Sequence, residues 1–152
     1  MSDVFFYHLT RRPLPDTLRM LLTKSRANGW RVAVRGTDHA ALETLDQALW
    51  LGPEEDFLAH GLAGQEYDAD QPILLTTEPE LSYPVECLMS VHGAEVAATE
   101  VAQTSRVCVL FDGADEAALA CARDQWRRLT QAGVAAQYWS EESGRWEKKA
   151  QT

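Results

Sequence analysis

The chain has 152 residues, 45% hydrophobic and 24% charged, which is the composition of one soluble globular domain and excludes a disordered chain. The formal net charge of −9 argues against strong direct binding of nucleic acid. No apolar run approaches the roughly 20 residues that span a bilayer, and the opening residues lack a signal peptide's basic start and cleavage site, so a cytoplasmic protein with no membrane association is expected.

Residues 4–8 (VFFYH) read as a first strand. Pro13 and Pro15 mark a turn, and Pro15 suits the first position of a helix over 15–27, with Asp16 favouring its positive end. Leu18, Leu21 and Leu22 form the apolar stripe of that helix, and Asn28-Gly29 ends it. Residues 30–34 (WRVAV) are a second strand. Thr37 or Asp38 caps the next helix, whose stripe is Leu42, Leu45 and Leu49 and which stops after Trp50 at Gly52-Pro53. The stretch EEDFLAHGLAGQEYDADQP has no clear period and reads as a long loop with room for one helical turn. Loops of this length in a small domain are often functional.

Residues 73–77 are a third strand and 85–91 a fourth, with Pro79 and Pro84 bracketing the connection. Residues 93–102 read as a short helix. Residues 106–111 (RVCVLF) are apolar enough for a central strand buried on both faces. Asp115-Glu116 opens a helix through Thr130 or Gln131, with Gly133 just beyond it and Leu119, Ala122, Trp126 and Leu129 as its stripe. Residues 134–139 make a last strand. From about residue 141 the tail is polar except for Trp146. The alternation implies a single α/β domain over 1–152, with a mostly parallel, mixed sheet and helices on both faces, Rossmann-like in outline.

The nucleotide-binding motifs of such folds are missing. Residues 9–16 (LTRRPLPD) follow the first strand without a glycine, and no GxGxxG or GxxxxGK[ST] occurs. There is no GxSxG elbow. The histidines, His8, His39, His60 and His92, have no metal-ligand spacing. Cys87, Cys108 and Cys121 have no CxxC spacing and read as reduced, mostly buried thiols. Glu54, Glu55 and Asp56 are consecutive and splay apart, a poor acid/base arrangement. The residues therefore point to a protein that is not an enzyme and needs no cofactor or metal; the alternative is a nucleotide-binding α/β enzyme, which the missing phosphate loops disfavour.

Three segments stand out as contact surfaces. Arg123 and Arg127 are four apart on one helix face, with Trp126 at its border and Arg128 adjacent. This suits a short peptide carrying an aromatic group and a carboxylate. The same pattern also fits a helix whose arginines answer its dipole and whose tryptophan joins the core. Trp50, Leu51, Phe57, Leu58 and Leu62 crowd a helix end and the long loop. They fit either a satellite core or a protein–protein patch. The tail carries Arg145, Trp146, Lys148 and Lys149, and either frays or docks Trp146 near the arginine helix. Charge is uneven along the chain. Residues 1–35 hold seven bases and two acids, residues 36–105 hold fourteen acids and no Lys or Arg, and residues 106–152 hold seven of each. An anionic partner must therefore dock on the ends of the chain.

The sequence resembles the chi subunit of bacterial DNA polymerase III, an accessory protein of the clamp-loader complex. The resemblance rests on VFFYH, on Gly29-Trp30-Arg31-Val32, and above all on LDQALW…F..H.LAG. In that last motif Leu45, Ala48, Leu49, Trp50, Pro53, Phe57, His60, Leu62, Ala63 and Gly64 match the family. The segment ARDQWRRLTQAG matches a pattern near the family's C-terminus. The resemblance implies a non-catalytic, replisome-associated bridge. One surface would grip the acidic C-terminal tail of single-stranded-DNA-binding protein through Arg123, Trp126 and Arg127, with Arg128 and Trp146 as further contacts. Trp126 stands where the family has Tyr and Arg127 where it has Lys, and Arg presents a planar fork instead of a point charge. A second surface at Phe57, Trp50 and Leu62 would bind the psi subunit or, in some bacteria, an accessory repair helicase. The sequence departs from the family at 78–84 (EPELSYP), where the family can be basic, and in a longer, more basic tail after Gly144.

Overall fold

Residues 106–112 sit near the middle of a sheet, as their continuous apolar run requires: five of the seven are buried. The computed structural model describes residues 3–10, 12–50, 60–62, 71–78, 84–141 and 145–151. In chain order the elements are β1 (Asp3–Leu9), α1 (Leu14–Ala27), β2 (Val32–Arg35), α2 (His39–Trp50), β3 (Gly61–Leu62), β4 (Ile73–Thr76), β5 (Cys87–Ser90), α3 (Ala98–Gln103), β6 (Arg106–Asp112), α4 (Glu116–Gln131), β7 (Ala135–Ser140) and β8 (Glu147–Gln151). Among the described residues, all eight strands join one sheet in the order β3-β4-β2-β5-β6-β1-β7-β8. Every pairing is parallel except β7 with β8.

The connections explain the two helical layers. From β1 to β2 and from β2 to β3 the chain moves toward one edge, through α1 and α2. From β5 to β6 and from β6 to β7 it moves the other way, through α3 and α4. Crossovers between parallel strands are almost always right-handed, so reversing direction sends the later helices to the opposite face. Alternation along each strand then fills two cores. Tyr7, Leu9, Val34, Met89 and Leu110 meet Leu18, Leu22, Leu42 and Leu49 on the α1/α2 side. Val4, Phe6, Leu88, Val107 and Val109 meet Val101, Ala122 and Leu129 on the α3/α4 side.

Most expected elements are present, with their ends moved by a residue or two. Five differences have physical causes. Helix α1 starts at Leu14, so Pro15 stands at its second position. Asp38 accepts from the Ala41 amide at the start of α2, while Thr37 donates to the His92 carbonyl instead. The helix expected over 93–102 is only α3. His92 and Gly93 both have positive φ, 55° and 79°, and make a tight turn closed by the Ala94 amide on the Val91 carbonyl. Gln125 then holds the following loop, donating to the Ala94 carbonyl and accepting from the Val96 amide. The long loop contains a short edge strand, β3, parallel to β4; the helical turn allowed for there, and residues 51–59 and 63–70, lie outside the described residues.

The fifth difference is the polar tail. Glu141 is 2% exposed. Its carboxylate accepts from the Thr10 and Arg12 amides at 3.2 and 2.9 Å, with the Arg12 guanidinium 3.9 Å away. It is a structural anion rather than a solvated one. Trp146 docks edge-on to Tyr7, ring centroids 5.4 Å apart, and β8 follows. Cys87 and Cys108 are buried and Cys121 half-buried, none of them in a disulfide.

Candidate functional site

Helix α4 positions the first candidate surface. Asp115 caps it, accepting from the Ala117 and Ala118 amides. The residues it buries fully are Ala122, Gln125 and Leu129. The core position next to Ala122 is thus taken by a glutamine, tolerated because both ends of its amide are hydrogen-bonded to backbone. With Gln125 in that position, Trp126 lies at the rim of the core instead of its centre. Its ring meets Phe6 at 5.3 Å and Tyr138 at 6.2 Å, both edge-on. Tyr138 in turn packs on Phe111 and hydrogen-bonds His8.

Above these rings lies an open groove of about 460 Å³. Arg123, Trp126, Arg127 and Thr130 form its α4 side, with Tyr138 and Ala150 opposite. Arg123 and Arg127 are exposed, and among the described residues neither makes an ion pair. An apolar floor flanked by two free guanidiniums can take an aromatic or aliphatic side chain together with carboxylates. Arg123, Trp126 and Arg127 are therefore brought together. Arg128 is not with them: it faces Glu95, 3.7 Å away, on the α3 side of the helix. Trp146 is also apart, since Tyr7, which it packs against, belongs to the α1/α2 face. Tyr138, Phe111, Thr130 and Ala150 went unrecognised in the sequence. The alternation of Ala136 and Tyr138 on one face was the available signal for Tyr138.

The second candidate surface sits at the other end of the sheet. Trp50, at the end of α2, is 49% exposed. One face of its ring lies on His60, centroids 4.2 Å apart. The His60 Nε2 is 3.2 Å from an Asp46 carboxylate oxygen. Leu62 is half-buried on β3 and packs on the α1/α2 core. Phe57 lies outside the described residues.

A larger cleft, about 780 Å³, opens at the C-terminal ends of β1 and β6. These neighbouring strands lead to helices on opposite faces, and open α/β sheets commonly bind ligands at such a point. Here, among the described residues, backbone amides on both sides of the cleft are already occupied by carboxylates of the chain itself. Glu141 takes the amides of the loop after β1, and Asp115 takes those at the start of α4. His92 borders the cleft, and burial pushes its imidazole below the ordinary value, partly opposed by Asp38.

A family model described as DNA polymerase III chi subunit, HolC, matches residues 1–137. The chain belongs to this family. Membership places it among the subunits of DNA polymerase III, and so in DNA replication. No curated protein matches the sequence significantly. The part matched as chi subunit includes all of α4 and the start of β7, and β8 follows it. No helix among the described residues is long and apolar enough to cross a membrane.

Proposed function

We propose that this chi-family chain is a non-catalytic, cytoplasmic bridge, whose α4 groove binds the acidic C-terminal tail of single-stranded-DNA-binding protein. The observation that carries the reading is the pair of unpaired guanidiniums, Arg123 and Arg127, beside the Trp126–Tyr138 floor. Burying the tail's terminal aromatic group there is worth roughly 1.5–3 kcal/mol. Each charge-assisted hydrogen bond to a guanidinium adds about 1.5–3 kcal/mol before ordering costs. A net of about −8 kcal/mol corresponds to a micromolar complex.

The second half of the bridge is the surface at Trp50 and Leu62, which we assign to the psi subunit of the clamp loader; the family resemblance implies Phe57 as a further contact. The sheet order supports two partners at once. Surface one lies toward the β7–β8 edge and surface two at the β3 edge, on the opposite face. Seven strand spacings separate those edges, roughly 34 Å, so neither partner need obstruct the other.

A fluorescence titration with a labelled copy of the tail peptide tests the first half, at low and high salt. Micromolar binding that weakens with salt and is lost in Arg127→Ala is expected. No binding by the folded wild-type protein overturns it. A pull-down with Trp50→Ala tests the second half: loss of psi is expected, whereas retention of psi with loss of a repair helicase favours the helicase as partner.

A further inference from the structure

We infer that β8 is a wall of the acidic-peptide groove and that Ala150 sets the width of that groove; this rests on the reading of the groove proposed above. Strand β8 lies wholly outside the residues that match the chi family. It pairs with β7 so that Ala150 stands beside Tyr138. Tyr138 belongs to the α4 face of the sheet, and directly paired residues share a face. Ala150 accordingly lines the same groove as Trp126 and Arg127.

The consequence is a change of shape. With β7 alone at the edge, the surface beside α4 would be a shelf bounded on one side. With β8 added it is a trough, with α4 on one side, β8 on the other and Tyr138 in the floor. The methyl group of Ala150 leaves that trough open, whereas a larger side chain would fill it. The lysines that precede Ala150 do not line the trough: Lys148 stands beside Trp139 on the other face of the sheet, and Lys149 pairs with Glu147 at 3.2 Å, so the positive charge of the groove comes from Arg123 and Arg127. Lysines on an edge strand guard against edge-to-edge pairing, a role that predicts no effect on peptide binding.

Three variants test the wall, read by the titration of the labelled tail peptide. Ala150→Glu places a carboxylate in the trough, and Ala150→Trp fills it. Gln151→Glu makes the same charge change beside Gln137, on the opposite face of the strand. Ala150 is exposed, so its substitutions should leave thermal unfolding close to wild type. Each Ala150 variant is expected to weaken binding at least about fivefold, and Gln151→Glu less than about twofold. Wild-type binding unchanged in both Ala150 variants overturns the role of β8 and leaves the arginine site standing. Equal weakening by Ala150→Glu and Gln151→Glu also overturns it, because overall charge would then suffice. A folded wild-type protein that does not bind the peptide removes the groove reading and this inference together.

Discussion

The Tyr138 hydroxyl hydrogen-bonds the His8 Nδ1 at 2.6 Å, tying the floor of the groove to the neighbouring strand. The His8 ring also stacks on Phe111, 5.2 Å between centroids. This arrangement depends on Gly113. A Cβ there would fall 1.7 Å from the His8 Nε2, so any side chain must displace the imidazole. Gly113→Ala is expected to destabilise the fold by about 1–3 kcal/mol, the usual cost of overpacking, measured by denaturant unfolding. It should also weaken tail-peptide binding by loosening Tyr138. Wild-type stability in this variant would contradict the packing described.

The buried Arg35 forms an ion pair with the half-buried Glu100. The guanidinium, 3% exposed, donates to both carboxylate oxygens at 2.8 and 2.7 Å, and to the Glu78 and Glu95 carbonyls. It joins β2 to α3 and fixes the loop before α3. Glu100→Ala leaves that buried charge without its carboxylate and should cost about 3 kcal/mol. Burial works to raise the Glu100 pKa, but the Arg35 hydrogen bonds, the Ala97 amide and the Arg35 charge outweigh it, and the net shift is downward. A lowered folded value means stability gained by ionisation. That gain is fully present above the ordinary value of 4.5 and disappears as pH falls through the folded value below it. Unfolding free energies of wild type and Glu100→Gln should differ most near neutral pH and converge in acid. A gap that widens in acid would contradict this sign.

The two tail features, Trp146 and β8, separate stability from binding. Trp146 packs on Tyr7 in the α1/α2 core, on the face away from Trp126. Trp146→Ala should cost about 2 kcal/mol, less than for a fully buried tryptophan, seen as a lower denaturation midpoint. Its affinity for the tail peptide should stay within about twofold of wild type. Trp126→Ala should lower affinity at least about tenfold, as loss of a central aromatic anchor does. Equal loss of affinity in both variants would mean that the peptide reaches both faces.

The layered α/β fold was legible because its strands are apolar runs and its helices carry stripes at helical spacing. Residues 106–111 read as a buried central strand and prove to be one. What failed to show was anything set by partners distant in sequence. Glu141 looks like part of a solvated tail until the loop after β1 brings two amides to it. Gln125 looks like a surface residue until the loop before α3 satisfies its amide. With Gln125 in the buried position on α4, Trp126 lies at the rim of the core. The same reasoning holds for the groove. Arg123, Trp126 and Arg127 share a helix face by local spacing alone. The opposite side, Tyr138 and Ala150, depends on strand order and on the β7–β8 register, which no short window encodes.

The most direct test of the central claim is a two-dimensional ¹⁵N–¹H NMR titration with the acidic tail peptide. The chain has five tryptophans, and each indole N–H reports on its own surroundings. Binding in the α4 groove predicts that the Trp126 indole moves, together with the Arg123, Arg127, Thr130, Tyr138 and Ala150 amides, while the Trp50 and Trp146 indoles stay in place. Shifts centred on Trp50, or on the cleft residues Thr10, His92 and Cys121, with Trp126 unmoved, would contradict it.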